Sequence, residues 1–212
     1  MNIVLLGSPG VGKGTYAGIL SKKHRIPHIS SGEIFRQNIK NGTELGKKVK
    51  EYMNRGDYVP DDITIQMIKE RLERNDCKNG FLLDGFPRTV PQAEELEKFK
   101  KIDKVFNFIA FQEVIVGRLG GRRTCRKCGK IFHVNNIPPK VSGVCDYCGG
   151  ELYQREDEKP EAIKIRMKKY EEKTKPLIDF YKKRNLLIEI DANYPIEEVD
   201  KIISQCENAL KK

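Results

Sequence analysis

The chain lacks any long hydrophobic run. Its longest apolar runs are no longer than stretches such as IVLL at 3–6, whereas a helix needs about 20 apolar residues to cross a bilayer, so no membrane partner is expected. No cationic segment followed by an apolar stretch opens the sequence, which makes a secretory signal unexpected and a cytoplasmic location the expectation. Internal repeats and low-complexity tails are also missing. Cysteine is scarce outside one region: Cys77 and Cys206 stand alone, while the other four form two C-x-x-C pairs. In a chain without an export signal that pattern favours a metal over disulfides, and Cys77 and Cys206 read as structural or incidental thiols.

What the sequence does have is charge. Of 212 residues, 33% are charged and 38% apolar, with a formal net charge of +10. The length allows one or two ordinary domains with a sizeable core. A surplus of this size fits polyanionic partners, either nucleic acid or small phosphorylated molecules, and it also fits a lysine-rich solvated surface.

Short apolar runs at 2–7, 80–86, 104–111 and 186–191 read as buried strands, and charged helical patterns lie between them, from Gly12 to about Lys23 and over 61–75, 89–100, 112–120, 160–184 and 195–210. Strands alternating with helices predict an α/β fold, a parallel sheet with helices on both faces. Two stretches break the rhythm. Residues 30–59 show helical patterns without a convincing core strand, and residues 123–158 hold the paired cysteines, Pro138 and Pro139 and several glycines, so they read as a small loop-rich insert.

GSPGVGKGT at 7–15 follows the first strand and opens the first helix. Glycines let such a loop wrap with its N–H groups inward, the helix N-terminus adds partial positive charge, and Lys13 supplies a mobile ammonium. The spacing matches the phosphate-binding P-loop, except that Gly14 follows the lysine and the hydroxyl comes at Thr15. In FLLDGFPR at 81–88, Asp84 ends an apolar strand, where a P-loop enzyme needs a carboxylate acting on Mg²⁺ through a bound water; a turn or helix cap is the alternative. Cys125-x-x-Cys128 and Cys145-x-x-Cys148 have the spacing of a four-thiolate zinc site, with reduced unliganded cysteines or iron as the alternatives. Four protein thiolates fill a tetrahedral shell and leave no position for water or substrate, so the metal is expected to stiffen a unit too small to fold alone and to catalyse nothing.

GSPGVGKGT, SSGEIFR at 30–36, LLDGFPRT at 82–89 with Gln92, and the cysteine insert after Gly121-Arg122-Arg123 occur together in an order that resembles the adenylate kinases, specifically the long-lid, zinc-containing bacterial type, across essentially the whole chain. The resemblance implies a P-loop parallel-sheet core (1–29, 60–121 and 160–212), a helical monophosphate-binding insert (30–59) and a zinc-stapled lid (122–159). It implies reversible Mg²⁺-dependent transfer, ATP plus AMP giving two ADP, by a monomer that binds no nucleic acid. Lys13, Arg36, Arg88, Arg122, Arg155 and Arg166 are implied as the catalytic cations. ATP is assigned to Gly10, Val11, Gly12, Lys13, Gly14, Thr15, Arg118, Arg122, Ile131, Phe132 and Tyr194. AMP is assigned to Ser31, Arg36, Asp57, Tyr58, Val59, Gly85, Phe86, Pro87, Arg88, Gln92, Arg155 and Arg166. The chain departs from the usual pattern at Ser31 and Glu33, at Gly117, and at Glu158, which keeps a carboxylate on a longer arm. His133, beside Phe132, reads as a polar lid residue near the ATP ribose rather than a fifth metal ligand.

Two other classes compete. A zinc-ribbon nucleic-acid module would suit the basic charge, but Phe132 and Tyr147 are the only obvious stacking positions near the ribbon. A regulatory ATP switch would not need Ser31, Arg36, Arg88 and Gln92.

Overall fold

The apolar run Asn2–Gly7 forms β1, the central strand of a five-stranded sheet, in a computed structural model that describes residues 1–211; Lys212, which the sequence assigns to the core, lies outside the described residues. In chain order β1 is followed by α1 (Lys13–His24), β2 (His28–Ser30), α2 (Ser31–Lys40), α3 (Glu44–Arg55), α4 (Asp61–Leu72), β3 (Phe81–Asp84), α5 (Val90–Phe99), β4 (Lys104–Ile109) and α6 (Gln112–Gly120). Then come β5 (Arg122–Cys125), β6 (Ile131–His133), β7 (Leu152–Tyr153), α7 (Pro160–Lys169), α8 (Pro176–Lys182), β8 (Leu187–Asp191) and α9 (Val199–Leu210). The main sheet has the order β2-β3-β1-β4-β8 and every pairing in it is parallel.

Alternation along β1 splits the core into two layers. Val4 and Leu6 pack with Leu83, Val105, Phe35, Ile68, Leu96 and Leu177 on one face. Ile3 and Leu5 pack with Leu82, Phe106, Phe108, Ala17, Leu20 and Ile202 on the other. With both faces covered, the strands are apolar at nearly every position, which is why they read as continuous runs.

The structure corrects several sequence expectations. The strand expected over 80–86 stops at Asp84, because Gly85 turns the chain at φ +74°. The strand expected over 104–111 ends at Ile109. Strand β2 is an addition, three residues long and without an apolar run to announce it. The helix expected over 160–184 is interrupted by a π turn at Tyr170–Thr174, where the Lys175 N–H reaches the Tyr170 carbonyl at 2.8 Å. Pro176 has no N–H to give, and its ring would crowd the carbonyl four residues back, so a wider turn relieves the helix there. The cysteine insert is less loop-like than expected: β5 pairs antiparallel with β6 and β7 in its own three-stranded sheet.

Parallel strands put all their C-terminal ends on one edge. With β1 between β3 and β4, the loops after these three strands meet there, where ligands bind in open α/β sheets. No helix among the described residues is long and apolar enough to cross a membrane.

Candidate active site

The loop after β1 depends on glycine. Gly7, Gly10 and Gly12 have φ of +134°, +87° and +111°, and a Cβ on Gly12 would lie 2.6 Å from the Tyr16 ring. Left-handed backbone is open to glycine at no steric cost. The Lys13 ammonium donates to the carbonyls of Gly7 at 2.6 Å and Ser8 at 3.0 Å. Burial pulls its pKa down to about 8; Asp84 opposes the shift, while Arg88, Arg166 and Arg122 add to it.

Asp84 ends β3 beside this loop, with an Oδ2 that a Cβ on Gly14 would approach to 3.8 Å. His28 of β2, aligned two residues along the sheet, places Nε2 3.4 Å from the same Oδ2. Burial pushes the Asp84 carboxyl up, but the His28 hydrogen bond and the charges of Lys13, His28 and Arg88 outweigh it and leave it below the ordinary carboxylate range.

Arg88 is held at four points. Its Nε donates to Gly85 O at 2.8 Å, its backbone N–H to Gln92 Oε1 at 2.7 Å, and its guanidinium lies over the Tyr58 ring, 4.9 Å from the centroid. Its carbonyl accepts from Thr174 Oγ1 at 2.9 Å; that hydroxyl proton being used, Tyr58 OH donates to Thr174 at 2.8 Å. Ser31 Oγ donates to Gly85 O at 2.6 Å, and Arg36 pairs with Glu33 at 2.5 Å.

The return from the small sheet supplies the remaining cations. Glu158 is fully buried and its Oε1 takes both Arg122 Nε, at 2.5 Å, and Arg155 Nη2, at 2.8 Å. Asp157 Oδ2 accepts from Arg166 Nη1 at 2.9 Å. Burial opposes ionisation of Asp157, yet Arg155, Arg166, Arg36 and Arg122 hold its pKa down to about 2. Burial, with Arg155, Arg122 and Arg88, brings Arg166 down to about 10, Asp157 opposing. Buried guanidinium groups gathered in one place form a cavity that favours polyanions.

One chamber of about 700 Å³ joins these groups. Of the residues singled out in the sequence, Gly10, Gly12, Lys13, Gly14, Thr15, Arg36, Asp57, Tyr58, Asp84, Gly85, Pro87, Arg88, Arg118, Arg122, Ile131, Phe132, Arg155, Arg166 and Tyr194 line it. Ser31, Val59 and Gln92 line an adjoining slot of about 20 Å³, together with Asp57, Tyr58, Gly85 and Arg88. Val11 and Phe86 line neither; both side chains are fully buried in the core, so only their backbones are available to a ligand. Arg118 is occupied by the protein, donating to Val11 O, Tyr16 OH and Tyr194 O and thereby tying the P-loop to the late loop. Phe132 packs in the small core of the insert with Cys125, Cys145 and Leu152. His133 Nδ1 accepts the N–H groups of Asn135 and Asn136, each at 3.1 Å, so Nε2 carries the proton and donates to Gly117 O at 2.9 Å. His133 thus straps β6 to α6.

The sequence reading missed His28, Asp61, Thr174 and the side chain of Tyr58. Their partners lie 28 to 116 residues away, so no local spacing marks them.

Cys125, Cys128, Cys145 and Cys148 place their four Sγ atoms within 4.8 Å of one another. A zinc tetrahedron with bonds of about 2.3 Å has edges of roughly 3.8 Å, and the Sγ pairs Cys125–Cys148 and Cys128–Cys145 are 3.5 and 3.6 Å apart. The Cys128 N–H donates to Cys125 Sγ and, with other amide and thiol hydrogen bonds, draws the Cys125 thiol down, whereas at Cys148 the Gly150 N–H acts the same way but is outweighed by contacts with the other thiols and by burial, so that thiol is pushed up. The donor set fits a tetrahedral, thiophilic metal.

A P-loop at the edge of a parallel sheet, facing guanidinium groups across one chamber and flanked by a cysteine-clipped flap, defines a P-loop phosphotransferase. Comparison with known proteins narrows the class. A sequence model described as "Adenylate kinase" matches residues 5–186. Adenylate kinase of Caldicellulosiruptor bescii is 58% identical, the match covering 89% of this chain and 90% of that protein. Those of Clostridioides difficile and Methanocella arvoryzae are 50% and 49% identical, covering 94% and 100% of this chain and 94% and 99% of theirs. The chain belongs to the adenylate kinase family.

Proposed function

We propose that the chamber carries the γ-phosphoryl group of ATP to AMP, giving two ADP reversibly, with Lys13, Arg36, Arg88, Arg122, Arg155 and Arg166 as the cations that stabilise the transfer. One observation carries this reading: all six line the same chamber, though they come from different parts of the chain. The P-loop holds the ATP phosphates, with the lid residues Ile131 and Phe132 and the late loop at Tyr194 towards its adenosine. Ser31, Asp57, Tyr58, Val59 and Gln92 receive AMP, whose phosphate faces Arg36 and Arg88.

An AMP phosphate oxygen attacks the γ-phosphorus in line, and the bond from that phosphorus to the β–γ bridging oxygen breaks as ADP leaves. The attacking oxygen is already anionic, so no general base is needed. The protein positions both phosphates and meets the charge on the equatorial oxygens with bidentate guanidinium forks. Lys13 must leave the Gly7 and Ser8 carbonyls to follow the phosphates. Asp84 would hold the water shell of the Mg²⁺ that accompanies ATP, and that ion would supply charge neutralisation for the phosphates.

In this reading the core is 1–29, 60–121 and 160–212, the AMP insert 30–59 and the lid 122–159. Zinc on the four cysteines supplies rigidity, because the apolar core of the lid is as small as Cys125, Phe132, Cys145 and Leu152. Closure over the substrates keeps water from the γ-phosphate. A monomeric, cytoplasmic enzyme with small-molecule substrates fits an arrangement whose flanking elements must move.

The test is ADP formation from MgATP with AMP, with GMP, UMP and CMP in parallel and no acceptor as the control. Turnover with AMP, little with the others and little ATP loss without acceptor is expected. No transfer by folded protein would overturn the reading.

A further inference from the structure

Gln92 is the most buried polar side chain of the slot beside the main chamber. Its Oε1 accepts the Arg88 backbone N–H at 2.7 Å, and its Nε2 donates to Asp61 Oδ1, also at 2.7 Å. The other oxygen of Asp61 accepts from Thr89 Oγ1 at 2.7 Å, and Thr89 in turn caps α5 by accepting the Gln92 N–H at 3.2 Å. Asp61 is the first residue of α4 and follows directly on the 30–59 insert.

These contacts give the carboxamide a direction. A flipped Gln92 would turn its amino group against the Arg88 N–H and its oxygen against the Asp61 carboxylate, a donor facing a donor and an acceptor facing an acceptor. In the observed direction each amide atom keeps one hydrogen-bonding position, a single N–H and a single lone pair. Adenine offers an acceptor at N1 beside an amino donor at its 6-position; hypoxanthine and guanine offer an N1–H donor beside an O6 acceptor. A carboxamide free to turn would satisfy either edge, whereas one that cannot turn distinguishes them.

We propose that Asp61 is a specificity-determining positioning residue: it locks the Gln92 carboxamide so that the acceptor slot takes 6-aminopurine monophosphates and rejects 6-oxopurines. This rests on the assignment of the acceptor nucleotide to the slot. Asp61 acts through Gln92 and has no part in the phosphoryl step, so its loss shifts acceptor choice far more than the turnover number.

The experiment compares wild type, Asp61→Asn, Asp61→Ala and Thr89→Ala. AMP and IMP serve as acceptors with MgATP, and IMP also as a competitive inhibitor against AMP. Alanine removes the Asp61 contact outright and leaves the Arg88 N–H alone to direct the carboxamide, whereas asparagine is isosteric and can face Gln92 with either an oxygen or an amino group. The AMP-to-IMP preference is expected to fall by about threefold to tenfold in Asp61→Ala, the worth of one ordinary hydrogen bond, and by no more than that in Asp61→Asn. The change should lie in KM and in the inhibition constant, with kcat for AMP nearly retained. Thr89→Ala loses the helix cap and the second Asp61 contact but keeps the lock, so its melting temperature falls and its preference stays.

An unchanged preference in folded Asp61→Ala would overturn the proposal, as would a wild type that uses IMP as readily as AMP. Wild type that transfers nothing to AMP would instead refute the functional reading, a result seen without any variant.

Discussion

Arg122 and Glu158 lie 36 residues apart in sequence and side by side in the fold, with Nε 2.5 Å from Oε1. The carboxylate is fully buried, its Oε2 has no protein partner, and its Oε1 also takes Arg155. A negative charge here offsets the repulsion between two guanidinium groups before phosphate arrives, and phosphate can replace it. Glu158→Gln is expected to destabilise the nucleotide-free protein by about 3 kcal/mol, the usual cost of removing one partner from a buried charged cluster. Saturating ATP and AMP should remove most of that deficit. Thermal melting with and without nucleotide reads both; an equal deficit in the two states would mean that Glu158 only packs.

Lys13 gives a pH dependence with a definite sign. Its ammonium has a pKa of about 8 in the free protein, and a polyphosphate against it raises that value. Affinity for ATP is therefore fully present below pH 8 and declines as pH rises from 8 through the higher bound value, with proton uptake on binding in that window. Calorimetry at pH 8.5 in buffers of different ionisation enthalpy should show fractional proton uptake, and Lys13→Met should abolish it.

Tyr58 carries Arg88 on its ring and reaches Thr174 with its hydroxyl. Tyr58→Leu loses both contacts. A cation–π contact is worth about 0.5–2 kcal/mol, so kcat/KM for AMP should fall roughly twofold to thirtyfold while KM for ATP holds. Tyr58→Phe keeps the ring and should lose less. Steady-state kinetics with each substrate varied separates the two variants.

The cysteine clip should matter to the lid alone. Cys145→Ser, or a strong chelator, is expected to release about one equivalent of zinc and loosen residues 122–159 while the five-stranded sheet persists. Limited proteolysis followed by mass spectrometry should place the new cuts within the insert, and far-ultraviolet circular dichroism should stay largely unchanged.

The parts legible in the sequence are those made by neighbours in the chain. The P-loop shows itself through glycines and one lysine within nine residues, and the four-cysteine cluster through two C-x-x-C turns. The main sheet is legible because strands buried on both faces are apolar throughout. Strand β2 is too short for that signal, with a single buried residue, Ile29, between half-buried His28 and Ser30. The π turn before Pro176 depends on how the wider helix settles against Arg88 through Thr174. The ties that orient the site, His28 to Asp84, Asp61 to Gln92 and Tyr58 to Thr174, join residues from different elements. Periodicity cannot report such pairs, because each depends on the sheet order and on where the inserts fold back.

In the proposed reaction guanidinium forks converging on the P-loop drive transfer, with neither a general base nor a metal on the four cysteines taking part. The most direct measurement is the single-turnover rate of ADP formation by Arg122→Lys, which keeps the charge and removes the fork. A fall of about 10²–10³-fold, the usual worth of such a catalytic donor, with ATP affinity within a few-fold of wild type, is the result expected. A rate equal to wild type in a folded, metal-loaded variant would contradict the account.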